Sequence, residues 1–149
     1  MFLVGAMAVP GALLALSAPA SAAGPSTICE SSGHHYCLGA PNLAPFDKVV
    51  ETTSGRFIDI VPRSNGQELM IDTDHALCVA AASGGNGVVL HLCSGGTGVI
   101  WFELKSPNGH RFENSLFGGY LSGANQKGSL YRVESLGVSG FNQQFSVSG

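Results

Sequence analysis

Four cysteines, Cys29, Cys37, Cys78 and Cys93, carry the most reactive side chains of this 149-residue chain. With His34, His35 and His91 nearby in sequence they could in principle hold zinc. No C-x-x-C or H-x-x-x-H spacing supports such a site, so neither a metal nor a cofactor is expected. An even cysteine count in an exported chain favours disulfides instead. Three pairings are open. Cys29–Cys37 with Cys78–Cys93 is favoured because each bond closes a short local loop. A loop of the second size contributes about 3 kcal/mol if the bond is unstrained.

Other candidate chemistry is thin. Asp72-Thr73-Asp74-His75 is the densest polar cluster. It has the residue types of a metal or acid–base site, but the expectation is an exposed hairpin between strands ending at Ile71 and resuming at Ala76. There is no G-x-S-x-G, H-E-x-x-H, G-x-G-x-x-G or phosphate loop, and an enzyme is not expected. Val61-Pro62-Arg63-Ser64-Asn65 contains the elements of a protease-inhibitory loop, with Pro62 as stiffener, Arg63 as the residue entering a trypsin-like pocket and Ser64 after it. Pro41-Asn42-Leu43-Ala44-Pro45 is a second stiff loop with no comparable motif. Seven Lys and Arg are scattered over a chain of net charge -3, so no nucleic-acid partner is expected.

The first 29 residues contain no charged side chain. The apolar stretch ends near Leu16, and Ala20-Ser21-Ala22 has the A-x-A pattern of a signal-peptidase site. Residues 1–22 are expected to be removed, leaving residues 23–149 as one secreted, extracellular domain. The apolar run is shorter than a membrane span and is interrupted by Pro10 and Gly11, so no membrane partner is expected after cleavage.

The elements that must position these residues repeat. Cys37, Cys78 and Tyr120 are 41 and 42 residues apart, and Phe57, Trp101 and Phe145 are 44 and 44 apart. Gly87 and Gly128 are separated by 41 residues, and Asn65-Gly66 precedes Asn108-Gly109 by 43. Three units of about 42 residues therefore fill the chain after the leader. Within each unit the apolar segments are short, rich in Val, Ile, Leu, Phe and Tyr, and bounded by Gly, Asn, Ser or Pro. They predict twelve strands, at 27–31, 36–40, 47–53, 56–61, 68–72, 77–82, 87–93, 99–105, 110–115, 118–122, 128–134 and 142–148. Asn-Gly at 65, 86 and 108 predicts two-residue hairpin turns in which both residues have positive φ. Three four-stranded units suggest closure about a pseudo-threefold axis. A propeller needs at least about four blades.

The order of these features resembles the repeat of the ricin-type β-trefoil lectins. In that family each repeat runs Cys-Leu-Asp, a Gly-rich turn, an apolar strand near a second Cys, then Gln-x-Trp. The second repeat offers Leu77-Cys78-Val79, Asn86-Gly87, Leu90 to Cys93 and Trp101; the third offers Tyr120-Leu121, Gly128, Tyr131 to Val133 and Asn142-Gln143-Gln144-Phe145. The first keeps Tyr36-Cys37-Leu38 and Arg56-Phe57. The resemblance implies an all-β β-trefoil in which Trp101, Phe57 and Phe145 fill a shared core. It also implies a glycan or polysaccharide as partner. The family's sugar-binding Asp is replaced by Gly39, Ala80 and Ser122. Losing a charge-assisted hydrogen bond to sugar should weaken binding about ten- to a hundredfold. The third repeat keeps the most, with Tyr131 placed to stack on a pyranose and Ser122, Asn125, Asn142 and Gln143 to meet hydroxyls. The expectation is thus weak, noncatalytic carbohydrate binding through the third repeat. The alternative is a trefoil scaffold without sugar affinity that binds an extracellular protein, such as a protease.

Overall fold

In the computed structural model, residues 24–83, 87–94 and 98–149 are described. The expected leader and the Asn86 turn lie outside them. Twelve strands follow one another: β1 (Thr27–Glu30), β2 (Cys37–Gly39), β3 (Val50–Thr52), β4 (Asp59–Arg63), β5 (Gly66–Asp72), β6 (Leu77–Ala81), β7 (Val88–Leu92), β8 (Ile100–Ser106), β9 (Gly109–Asn114), β10 (Tyr120–Ser122), β11 (Arg132–Glu134) and β12 (Phe145–Ser148). Each overlaps one predicted strand, and the described residues contain no helix.

Six strands form a ring in the order β1, β12, β9, β8, β5, β4. The ring closes where Ser26 and Ile58 exchange backbone hydrogen bonds of 2.9 and 2.7 Å. Closure leaves no open edge in the barrel. The other six strands pair as three hairpins, β2 with β3, β6 with β7 and β10 with β11. Three bridges join these hairpins in a triangle: Lys48 with Val89, Gly87 with Arg132, and Leu130 with Val50. The same cycle runs through Val49 N–H to Val88 O, Val88 N–H to Tyr131 O and Tyr131 N–H to Val49 O, at 3.0, 3.2 and 3.0 Å. A six-stranded barrel capped by a triangle of hairpins is a β-trefoil.

The cyclic register defines which residues are equivalent. Four sets of three point inward: Ile28, Leu69 and Phe112; Leu38, Val79 and Leu121; Val49, Val88 and Tyr131; Ile58, Trp101 and Phe145. None of the twelve is more than 1% exposed. Full burial of each such side chain contributes about 1.5–3 kcal/mol. The indole N–H of Trp101 donates to Val79 O at 2.8 Å, so its one polar group is satisfied inside the core. Phe57 does not belong to this interior, contrary to the repeat spacing of aromatic rings. It is 70% exposed, and Ile58 takes the inward position. Successive strand residues face opposite sides, so an alignment error of one residue moves a side chain from core to solvent.

Both expected disulfides are present, Cys29–Cys37 between β1 and β2 and Cys78–Cys93 between β6 and the end of β7. The hairpin turns differ from the expectation. Arg63 pairs with Gly66 and Ser106 with Gly109, so the turn residues are Ser64-Asn65 and Pro107-Asn108. Neither Asn65 nor Asn108 has positive φ; Gly66 and Gly109 do, at 138° and 128°. A Cβ on Gly66 would stand 2.8 Å from Trp101 O, and one on Gly109 2.7 Å from Phe145 O. Glycine is needed at these positions by a neighbouring barrel strand as well as by the turn.

Candidate functional site

The third repeat was expected to expose Tyr131. Instead its ring is fully buried as the counterpart of Val49 and Val88. Its hydroxyl donates to Tyr36 O at 3.2 Å and lies 3.5 Å from Glu30 Oε1. Burial and the adjacent carboxyls hold the phenol far above its ordinary pKa. Tyr131 therefore offers no face to a sugar. Nothing in a single apolar-rich segment distinguishes an inward from an outward tyrosine until strand register is known.

Beneath it lies a feature that the sequence reading missed. Glu30 and Glu51 are both fully buried. Register places Glu30 where the second repeat has Ile71 and Glu51 where the other repeats have Leu90 and Val133. Glu51 accepts hydrogen bonds from Ala124 N–H and Gln126 N–H, each at 3.0 Å. Glu30 accepts from Asn142 Nδ2 at 2.6 Å. Burial, then a hydrogen bond to Glu51, pushes the Glu30 carboxyl up to about 8. At neutral pH Glu30 keeps its proton, because burial disfavours its charged form and Glu51 lies beside it. The signal available in the sequence was acidic residues at inward positions of the repeat.

This pair ties the first repeat to the third and fixes Asn142, one of the expected sugar ligands. Asn142 gives its amide N–H to Glu30, while its Oδ1 accepts from Ser32 Oγ at 3.1 Å. Ser122 is buried, donates to Tyr120 O at 2.8 Å and accepts from Gln143 Nε2 at 3.0 Å. Gln143 also donates to Ser135 O and accepts from Gly137 N–H, both at 2.8 Å. Asn125, at φ 56°, accepts from His34 N–H at 2.8 Å. Ser122 and Asn125 are thus engaged in internal hydrogen bonds, and Gln143, though similarly bonded, lines the adjoining cleft together with Asn142. Short polar side chains at turns satisfy backbone groups that would otherwise go unpaired.

A cleft of about 570 Å³ opens beside Asn142, at the junction of the first and third repeats. Ser31, Ser32, Arg111, Phe141, Asn142 and Gln144 line it. Arg111 is its single charged residue. With its amide oriented to suit both neighbours, Gln144 donates to Asn108 O at 2.7 Å and accepts from Arg111 Nη2 at 2.9 Å. Arg111 Nε is buried without an acceptor among the described residues. Hydroxyls, amides, one guanidinium and one aromatic ring face a common space whose volume lies in the range of about 300–1,000 Å³ usual for small-molecule sites.

The expected inhibitory segment is the exposed tip of the β4–β5 hairpin. Pro62 and Arg63 belong to β4, and Ser64 is half of a two-residue turn. Arg63 Nη2 is held 2.7 Å from Glu68 Oε2. The Arg63 side chain remains half-exposed at the hairpin tip, where an ion pair of this kind contributes at most about 1 kcal/mol. Asp72 organises its own turn, accepting from Asp74 N–H at 3.0 Å and meeting His75 Nδ1 at 2.7 Å. Ligand atoms of Glu68, Cys78 and Cys93 lie within 4.8 Å of one another, but the two sulfurs are bonded to each other.

These features define the class: a disulfide-stapled β-trefoil domain with a polar cleft at one repeat junction. No protein-family model and no curated protein matches the chain. Solved structures do. A mosquitocidal holotoxin matches with a TM-score of 0.74 and 15% identity, over 86% of this chain and 17% of that one. Chicken interleukin 1 beta matches with a TM-score of 0.63 and 16% identity, over 84% of this chain and 95% of that one. A hydrophobic-cavity mutant of chicken interleukin-1 gives 0.62 and 17%, over 84% and 95%. The chain thus spans about a sixth of the holotoxin. At these identities the likeness is one of fold.

Proposed function

We propose that this chain is a secreted, noncatalytic carbohydrate-binding domain whose site is the cleft between the third and first repeats. The cleft lining carries the reading: Phe141 supplies an apolar ring for a pyranose face, and Ser31, Ser32, Asn142 and Gln144 supply donors and acceptors for hydroxyls. The absence of the family's carboxylate from Gly39, Ala80 and Ser122 agrees with weak affinity. Two disulfides in a small domain accord with an oxidising, extracellular compartment.

Titration of the oxidised domain with a panel of oligosaccharides tests the proposal. At least one should bind, and Phe141→Ala should weaken it tenfold or more, equivalent to about 1.4 kcal/mol. Failure of every neutral and acidic oligosaccharide at millimolar concentration would refute carbohydrate binding. Unchanged affinity in Phe141→Ala would move the site elsewhere.

A further inference from the structure

Phe46 occupies a glycine position of the fold. Its N–H donates to Leu90 O at 2.7 Å, and Gly128 N–H donates to the equivalent Glu51 O at 2.8 Å. The following residues match as well: Asp47 N–H meets Ala44 O, and Ser129 N–H meets Gln126 O. The φ angles agree, +70° at Phe46 and +82° at Gly128. A bulky side chain in this backbone region is strained, whereas glycine is not. Burial does not offset the strain, because the ring is 70% exposed. Its aromatic neighbour is His91, edge-on with centroids 5.5 Å apart.

The surroundings say what such a ring could meet. A cleft of about 330 Å³ beside it is lined by Pro41, Asn42, Phe46, Asp47, Lys48 and Leu130, among others. The two prolines of the 41–45 segment restrict the loop that presents the ring. In contrast to the third-repeat residues, the side chains of Asn42, Asp47 and Lys48 form no hydrogen bond or ion pair among the described residues. An exposed ring beside a free amide, carboxylate and ammonium offers one apolar face and a ring of polar groups. That is the complement of a pyranose, which has a C–H face and a hydroxylated rim. A purely apolar partner would leave three polar groups desolvated and unpaired.

We propose that the Pro41–Lys48 loop is a second saccharide-binding subsite, with Phe46 stacking on a pyranose and Asn42 and Asp47 engaging its hydroxyls. It shares the carbohydrate-binding reading of the domain but not its cleft. The strain at Phe46 is retained because a glycine there would remove the stacking surface.

Backbone amide NMR of the oxidised domain titrated separately with chitohexaose, cellohexaose, xylohexaose and mannohexaose tests this. At least one should shift the amides of residues 42–48, and Phe46→Gly should weaken that binding tenfold or more. Phe46→Trp should preserve it. Phe46→Gly should melt no lower than the wild type, since the position suits glycine. Phe141→Ala should leave the shifts at 42–48 intact, so loss of either cleft is read separately. No shift at 42–48 with any of the four, or equal binding by Phe46→Gly, overturns the subsite. A markedly lower melting temperature for Phe46→Gly overturns it too, by assigning the ring a packing role. Loss of a protein partner in Phe46→Gly, without sugar shifts, would assign the loop to a protein surface and equally overturn it.

Discussion

Glu30→Gln should abolish most of the pH dependence of folding stability between pH 5 and 8. Glu30 has an ordinary carboxyl pKa of 4.5 when unfolded and one of about 8 when folded, through burial and the bond to Glu51. Below pH 4.5 both states carry the proton, and stability from this source is fully present. Between 4.5 and about 8 the folded chain holds a proton that the unfolded chain has released. Unfolding free energy then falls with rising pH by about 1.4 kcal/mol per unit. Above pH 8 both forms are ionised and the dependence levels off. Over the full window the loss is on the order of 5 kcal/mol, comparable with the whole stability of a small domain. A glutamine keeps the shape, can donate to Glu51 and accept from Asn142, and cannot ionise.

Urea denaturation at pH 5, 6, 7 and 8, with the disulfides intact, gives the required slopes. A second group in this window has the same sign. His75 is raised by its hydrogen bond to Asp72, so its contribution is present at low pH and lost as the ring deprotonates. It is largely exposed, and a His75→Gln control removes it. Asp72, lowered by the same bond, loses its contribution only as pH falls through its depressed pKa, outside the tested range. The wild type and His75→Gln should therefore lose stability steadily from pH 5 to 8, while Glu30→Gln stays nearly level. A slope in Glu30→Gln equal to the wild type, or wild-type stability that rises over this range, refutes the buried-acid argument.

Ile58→Ala should cost about 2–5 kcal/mol, whereas Phe57→Ala should stay within about 0.5 kcal/mol, because only the isoleucine is enclosed. Equal effects in chemical denaturation would put the register in error by one residue. Replacing Cys78 and Cys93 together by serine should lower stability by about 3 kcal/mol, the value for a closed loop of 15 residues. A midpoint unchanged from the oxidised wild type would show that the bond adds nothing.

Architecture was legible because it repeats. Periodic glycines, apolar segments and cysteines reveal three units even when each motif is degenerate, and short β-rich segments separated by turns leave little room for helices. Residue-level roles were not legible, because a strand alternates sides at every residue. Reading Phe57 in line with Trp101 and Phe145 used ring chemistry as the guide, and the true equivalence passes through Ile58. Tyr131 failed as a sugar ligand for the same reason: its side of the strand is set by the Val49–Val88–Tyr131 bond cycle, which is long-range. Glu30 and Glu51 were passed over because acids in a polar-looking context imply solvent. Only the register reveals that Glu51 stands where the other repeats have Leu90 and Val133, and Glu30 where they have Ile71 and Asn114.

The departures from threefold symmetry fall into two kinds, and the difference bears on function. Folding asks the same of each repeat, so a residue that breaks the pattern needs a separate cause. Glu30, Glu51 and Tyr131 break it inside the core, yet their polar groups answer one another and the backbone at Ala124 and Gln126. Such a compensated network accounts for its own presence by locking the first repeat to the third. Phe46 is different. A strained backbone position of this kind costs about 1–3 kcal/mol, and neither burial nor a hydrogen bond of the side chain returns it. An internal cause accounts for the acids; among the described residues the ring has none, which is what the proposed subsite supplies. If Phe46→Gly raises stability without affecting any binding, uncompensated strain ceases to be a guide to ligand contacts in this fold.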